Sequence, residues 1–193
     1  MRFFKQLNED LRRLKEEYEV HPVMAVLTNR GFHALLLYRM ANALYRRRIP
    51  LLPLIFSRLV QIFYAIDIDY RATISGGVII IHGMGTAIGA GAIVKHGVTI
   101  YHDVTLGRKL QGARVPPGDG FPTIEENCVL GAGCRILGKT RIGSNCIIGC
   151  NTVVTFDVES NSVVKLGAMV IKQKTEPVVN RLVENKVSSQ ASI

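Results

Sequence analysis

Three of the five histidines in this chain are spaced in a way that could support acid–base chemistry. His82, His96 and His102 each take the third place of a six-residue unit that begins with an aliphatic residue. If three units form one coil, a two-residue insertion near Gly83 puts His82 and His102 on equivalent corners of adjacent coils, about 5 Å apart. His96 then falls on a different corner. A neutral imidazole near a hydroxyl can act as a general base, whereas the alternative is a corner histidine without a catalytic role.

A histidine base needs a carboxylate that fixes its tautomer and stabilises the charge that forms on the ring. Asp67 and Asp69 lie about one coil before His82 and are the available carboxylates. Either could instead have a structural role at the first strand. We expect a functional site here, because two stacked histidines would lie beside a long polar loop.

The elements that must position these side chains follow a six-residue repeat. This spacing fits neither the strand period of 2 nor the helix period of 3.6, and it indicates a short strand followed by a turn. Small residues recur four places after the aliphatic ones, which suits a crowded interior. The repeat predicts a parallel β-helix over residues 67–167. Its aliphatic positions form three runs: Ile68, Ile74, Ile80; Ile88, Val94, Ile100, Leu106; and Ile124, Leu130, Ile136, Ile142, Ile148, Val154.

The repeat is interrupted once, over residues 107–121. This segment is rich in Gly, Pro and charged residues. Such a composition predicts a loop that projects from one coil, and loops on a rigid scaffold commonly carry function.

Residues 1–66 are predicted to form a helical cap, with helices over about 2–19, 31–48 and 53–65. A cap has a physical task, because the end of a β-helix exposes open strand edges. The basic run at Arg46 to Arg48 and the apolar segment after it could instead form a membrane-surface helix, although we prefer core or subunit packing. Residues 168–193 are predicted to form a tail with a short helix near 177–185.

The net charge of +9 and the pI near 9.7 call for an anionic partner. The basic residues do not interleave with aromatic ones as in a nucleic-acid module, so we expect no nucleic acid. A phosphorylated cofactor, an acidic glycan or an anionic membrane would fit equally well. No signal peptide or membrane-spanning segment is recognisable. We therefore expect a cytoplasmic protein, with the inner face of the membrane as an alternative location.

All four cysteines lie in the repeat region, and three of them take its small inward position. No CxxC or Cys/His zinc spacing is present. The pattern favours buried, reduced thiols over a metal site or a disulfide.

Several segments together resemble the serine acetyltransferase group of hexapeptide-repeat acyltransferases. The resemblance runs from about Gly31 to Gly167 and includes GFHALLLYR, Asp67-Ile-Asp, the IHG that contains His82, VTLG, FPTI, LGAGCRILG and IGSNCIIGCNTVV. It implies a left-handed parallel β-helix, a homotrimer, and acetyl-CoA bound in the cleft between subunits. The left-handed coil comes from the resemblance alone, because crossover connections are usually right-handed.

The resemblance also implies roles for individual residues. His82 would be the general base with Asp67 as its partner, and His102 becomes a second candidate through its HDVTLG segment. Backbone N–H groups near Gly107 and Arg108 would stabilise the oxyanion. The CoA arm would run past Ala132, Gly133 and Cys150, with its phosphates near Arg108, Lys109 and Arg114. Asp69, Phe121 and Arg114 are candidates for contacting the acceptor.

The chain departs from the family at two acceptor positions. Ile81 stands where serine acetyltransferases have an aspartate, and Gly120-Phe121 stands where they have an Arg-His pair. These groups hold the ammonium and carboxylate of the amino acid, so their loss would leave serine poorly held. The pattern looks closer to the branch of polysaccharide gene clusters, and Phe121 would suit the apolar face of a sugar.

Four functions follow from these observations. We expect acetyl-CoA-dependent O-acetylation of a sugar hydroxyl in a glycan precursor or polysaccharide, with serine O-acetylation in cysteine synthesis as the alternative. A non-catalytic β-helical scaffold is a further alternative. A zinc site would need His82, His96 and His102 to converge across a subunit boundary, and their spacing does not match that arrangement, so no metal is expected.

Overall fold

The computed structural model describes residues 2–109 and 119–167. In this part of the chain, helices come first: α1 Arg2–Tyr18, α2 Pro22–Thr28, α3 Arg30–Arg46 and α4 Leu52–Tyr64. Short strands follow: β1 Asp67–Ile68, β2 Thr73–Ile74, β3 Ile79–Ile80, β4 Ala87–Ile88, β5 Ile93–Val94, β6 Thr99–Ile100, β7 Thr105–Gly107, β8 Thr123–Ile124, β9 Val129–Leu130, β10 Arg135–Leu137, β11 Arg141–Ile142, β12 Ile147–Ile148, β13 Val153–Val154 and β14 Val163–Val164.

The strands form three parallel sheets that wrap around one core. Up to β13, every third strand belongs to the same sheet, as in the order β1-β4-β7-β10-β13, whereas β14 pairs with β12. Asp67 pairs with Ala87, which confirms that the first coil is two residues longer than three hexads. The aliphatic residue of each hexad points inward and is buried in nearly every coil. The parallel β-helix predicted from the repeat is therefore confirmed.

Three edges separate the sheets, and each edge stacks equivalent corners of successive coils. We call them the His82 edge, the loop edge and the His96 edge after their most prominent features. The His82 edge contains residues 81–86, 101–104, 131–134 and 149–152; the loop edge contains 69–72, 89–92, 138–140 and the ends of the segment 108–122; and the His96 edge contains 75–78, 95–98, 125–128 and 143–146.

The helices pack on the first two coils through polar contacts to their backbone. The Arg13 guanidinium donates to the carbonyls of Gly77 and Val98 at 2.8 and 3.0 Å, and the Tyr38 hydroxyl donates to that of Ala72 at 2.7 Å. Gly31 permits the closest approach, since a Cβ there would lie 2.0 Å from the Ile80 carbonyl oxygen. The start of α3 is thus fixed beside β3.

The cap differs from the prediction in two details. Helix α2, which has seven residues and contains Pro22 in its first turn, was not predicted from the sequence. Helix α3 ends at Arg46 rather than Arg48, because Arg48 takes a left-handed φ of 58°. Within the described residues, the helices are too short or too polar to cross a bilayer. The predicted tail 168–193 and its short helix lie outside the described residues.

Candidate active site

His82 lies in the corner that follows β3, with its side chain exposed. Its φ is +62° and that of Gly83 is +69°, so two successive residues take the left-handed conformation. Asp103, Asn127, Asn145 and Asn151 also have a positive φ in corners of later coils, so this conformation belongs to the corner geometry. A Cβ at Gly83 would lie 2.5 Å from Ile66, so glycine is needed there for packing as well. The corner therefore presents His82 outward on a tightly constrained turn.

The rings of His82 and His102 are neighbours on the His82 edge. Their centroids lie 6.1 Å apart in an edge-to-face arrangement. The predicted adjacency of these two corners is confirmed. His96 lies on another edge, where its Nδ1 is 2.8 Å from the Gly76 carbonyl oxygen. The three histidines therefore do not converge within one chain.

Asp67 and Asp69 have different surroundings. Asp67 opens β1 with an exposed side chain and lines a cleft of about 290 Å³ beside α4, whereas His82 lines another cavity. Within the described residues, Asp67 and His82 therefore line different cavities. Asp69 lies on the loop edge, where Arg71 donates two hydrogen bonds to its carboxylate, at 2.9 and 2.7 Å. Burial opposes ionisation of Asp69, yet these bonds hold its pKa below the usual value.

A cavity of about 440 Å³ opens between the cap and the first coil, next to His82. Its cap residues were not predicted from the sequence, because they meet His82 only through the docking of α1 and α3. Arg30 is exposed and, within the described part of the chain, has no ion-pair partner. The lining residues are Leu14, Tyr18, Val20, Thr28, Asn29, Arg30, Gly31, Ile79, Ile80, Ile81 and His82.

The His82 edge continues along the coils through small residues. The N–H of Gly133 donates to the His102 carbonyl at 3.0 Å, and that of Asn151 donates to the Ala132 carbonyl at 2.8 Å. Cys150 is exposed in the same column. The structure therefore brings His82, His102 and the predicted CoA-contacting residues Ala132, Gly133 and Cys150 onto one edge.

Asp103 is a polar residue of this edge that the sequence analysis missed. It has a φ of +55°, and its carboxylate lies 3.2 Å from an Nη of Arg135. Both side chains are about half exposed. Its position directly after His102 was the available signal.

The residues predicted to hold phosphates lie on the loop edge instead. Gly107 closes β7, so the loop begins one residue later than predicted, with the exposed Arg108 and Lys109. The Arg108 guanidinium lies 5.0 Å from the centre of the Phe121 ring. That ring is half-buried against the core and fills the space over Gly89, where a Cβ would lie 2.1 Å from it. Arg114 lies outside the described residues.

Three of the four thiols are interior. Cys128, Cys134 and Cys146 have no exposed surface, as their inward hexad position predicts. Burial raises the pKa of Cys128 to about 11 and that of Cys134 to about 12. Across residues 2–109 and 119–167, no group of three or more His, Cys, Asp or Glu side chains is placed to hold a metal ion.

Comparison with known proteins gives one family signature and several relatives. Residues 121–155 match the family model described as bacterial transferase hexapeptide (six repeats). A serine acetyltransferase of Bacillus subtilis is 32% identical over 91% of this chain and 81% of its own length. That of Helicobacter pylori is 40% identical over 68% and 75%. That of Synechococcus elongatus is 37% identical over 83% of this chain, which spans 65% of the relative's length.

Solved structures of the same kind share the fold. A serine acetyltransferase in complex with CoA superimposes with a TM-score of 0.76 at 26% identity, covering 83% of this chain and 66% of that one. The Neisseria gonorrhoeae serine acetyltransferase in complex with serine gives a TM-score of 0.77 at 29% identity, over 86% and 67%. This chain thus spans about two thirds of their length. The left-handed β-helix with N-terminal helices is confirmed by these similarities.

Proposed function

Because the chain belongs to the serine acetyltransferase family of hexapeptide-repeat transferases, we propose that it transfers the acetyl group of acetyl-CoA to the hydroxyl of L-serine. The observation that carries the proposal is the exposed His82, held at a constrained corner beside a cavity in a chain with these relatives. The names of the relatives favour serine over the sugar acceptor expected from the sequence.

In the proposed reaction, the neutral imidazole of His82 removes the proton from the acceptor hydroxyl as its oxygen attacks the thioester carbonyl carbon. The new C–O bond forms, the C–S bond breaks, and the CoA sulfur takes the proton from the imidazolium. No acyl-enzyme is formed. Asp67 as the partner of His82, His102 as a second base, and the N–H groups near Gly107 and Arg108 as the oxyanion site remain part of the proposal.

CoA would approach along the His82 edge, where Ala132, Gly133 and Cys150 leave room beside the backbone. Its phosphates require cations, and Arg108, Lys109 and Arg114 belong to the loop edge. Within one chain, strand β7 lies between His102 and the loop edge, so the phosphate-binding candidates are not next to the histidines. A homotrimer, in which the loop edge of one subunit faces the His82 edge of the next, would bring the two parts together. We place the reaction in the cytoplasm, as the sequence predicts.

The carboxylate of serine needs a cation at the acceptor site. Neither Gly120 nor Phe121 is a cation that could pair with this carboxylate. Ile81 stands where the family has an aspartate, so the anion that would pair with the ammonium of serine is also missing. Arg30 lines the cavity beside His82 and is our candidate for the carboxylate. An Arg–carboxylate pair is a strong, directional interaction.

O-acetylation of a sugar is the second candidate, and one specific observation favours it. A cavity of about 440 Å³ with Ile81 in its wall exceeds what a small zwitterion requires. Phe121 was predicted to support the apolar face of a sugar, but its ring is half-buried and has Arg108 over it. Its role in acceptor binding therefore remains a prediction.

The two candidates are separated by CoA thiol release from acetyl-CoA. L-serine is offered in one series, and free sugars, nucleotide sugars and acidic oligosaccharides in the other. Turnover with serine supports the proposal, and turnover with glycans only would replace it by the second candidate. Ile81→Asp combined with Phe121→His should raise serine acceptance by about tenfold or more, since both restore a charged contact. An unchanged acceptor range would refute this account of specificity.

A further inference from the structure

The helical cap exposes an apolar surface that the proposed reaction does not use. Helix α4 buries only Pro53, Ser57 and Val60 against its neighbours. Its other side carries large apolar side chains, of which Leu51 and Ile62 are each 74% exposed. We call this surface the α2–α4 face; it consists of Val23, Val26, Leu27, Leu51, Leu54, Ile55, Ile62 and Phe63.

The α2 and α4 parts of this face are joined through His33. Its Nε2 lies 2.6 Å from the Val26 carbonyl oxygen, and its Nδ1 lies 3.1 Å from the Tyr64 hydroxyl. A carbonyl can only accept, so Nε2–H donates to Val26 and Nδ1 accepts from Tyr64. These bonds hold the end of α2 beside the end of α4. The α2 and α4 parts of the face are therefore linked through α3.

The charge around this face has a single sign. Residues 20–66 contain six arginines and no Asp or Glu. Arg39 is buried in an ion pair with Asp10, and the other five arginines are exposed: Arg30, Arg46, Arg47, Arg48 and Arg58. Arg46, Arg47 and Arg48 lie at the turn before α4, and Arg58 lies on α4 between Ile55 and Ile62. An apolar surface with a basic rim results.

The turn before α4 also displays an apolar side chain at a conformational cost. Arg48 and Leu51 both have a positive φ, of 58° and 62°. A left-handed conformation is unfavourable for these residue types, yet here it directs a leucine into solvent. Water alone gives no physical reason for this arrangement.

We infer that the α2–α4 face binds an anionic phospholipid surface, with the apolar side chains in the interface and Arg46, Arg47, Arg48 and Arg58 on lipid phosphates. Amphipathic helices with basic rims bind membranes in this way. A second copy that meets this face with its own α2–α4 face is a poorer occupant, because arginines of the same sign would come together. Contact with a different face of a neighbouring subunit would change the oligomeric state of the variants described below. The inference is independent of which acceptor the enzyme uses.

Vesicle co-sedimentation of the full chain tests this inference. The protein should bind vesicles of phosphatidylcholine mixed with phosphatidylglycerol, bind phosphatidylcholine alone weakly, and dissociate as salt is raised. Ile62→Gln combined with Phe63→Gln should lower the partition coefficient by about tenfold or more. Arg47→Gln combined with Arg48→Gln should do so only on anionic vesicles. The matched control, Phe156→Gln with Lys139→Gln, changes an exposed aromatic and an exposed cation on the β-helix and should bind as the wild type does.

Circular dichroism and size-exclusion chromatography accompany each variant. A folded Ile62→Gln/Phe63→Gln variant with unchanged oligomeric state and reduced vesicle binding supports the inference. Absence of wild-type binding to anionic vesicles would overturn it. A change of oligomeric state in that variant would also overturn it, and would identify the α2–α4 face as a subunit interface.

Discussion

The Asp10 carboxylate and the Arg39 guanidinium form a two-pronged ion pair between α1 and α3, with N–O distances of 2.8 and 2.9 Å. Each side chain is only 1% exposed. Asp10 also accepts from the Gly77 N–H at 2.8 Å, and Arg39 donates to the Ser75 carbonyl at 2.9 Å. Burial raises the pKa of Asp10 although the guanidinium opposes this rise. The pair fastens two helices of the cap to the first coil.

Arg39→Met should destabilise the fold by about 3–5 kcal/mol, because it leaves a buried carboxylate without its counter-ion. Asp10→Leu combined with Arg39→Met should recover most of that loss, since it removes both buried charges. Urea unfolding at a fixed protein concentration measures both free energies. A double variant no more stable than the single one would show that the pair itself supplies the stability.

The four cysteines should differ sharply in reactivity. Only thiolate reacts with alkylating reagents, and burial holds the pKa of Cys128 and Cys134 at about 11 and 12. Mass spectrometry after brief alkylation at neutral pH should find Cys150 modified and the other three unmodified until the protein is unfolded. The fold should also lose stability at high pH, because unfolded thiols ionise near about pH 8.5. Rapid modification of Cys134 in the folded protein would contradict the buried assignment.

Arg30→Ala should raise the KM for L-serine by about tenfold or more, because the carboxylate loses its charged partner. The KM for acetyl-CoA should stay unchanged, and Arg30→Lys should restore part of the effect. Arg12→Ala is the matched control, since Arg12 is exposed on α1 and pairs with Glu16 outside the cavity. An equal effect of both substitutions would remove Arg30 from the acceptor site. If the wild type does not turn over serine, the acceptor proposal fails before Arg30 is tested.

The six-residue repeat was sufficient to predict two features of this structure, namely which side chains are buried and which corners stack. The side chain at the aliphatic position of each hexad is buried. Corners that are one coil apart in the sequence stack on each other. These two rules were sufficient to place His82 beside His102 and His96 on another edge. They also predicted the three interior cysteines.

Features created by tertiary docking were beyond the sequence. The cavity beside His82 joins residues 14–31 of the cap to residues 79–82 of the first coil, and no local period relates those segments. Handedness of the coil came from the family resemblance, since spacing is the same for either hand. The sequence also could not decide whether the apolar side of α4 is buried, because amphipathic periodicity does not identify the partner of the apolar face.

The role of His82 as the general base is the central claim, and CoA thiol release with acetyl-CoA and L-serine tests it most directly. His82→Ala should keep the fold and oligomeric state of the wild type and lower turnover by about a hundredfold or more. His102→Ala, one coil away with its ring 6.1 Å from that of His82, is the matched control and should lose less activity. Wild-type turnover by His82→Ala, with activity lost in His102→Ala, would contradict the account and assign the base to His102.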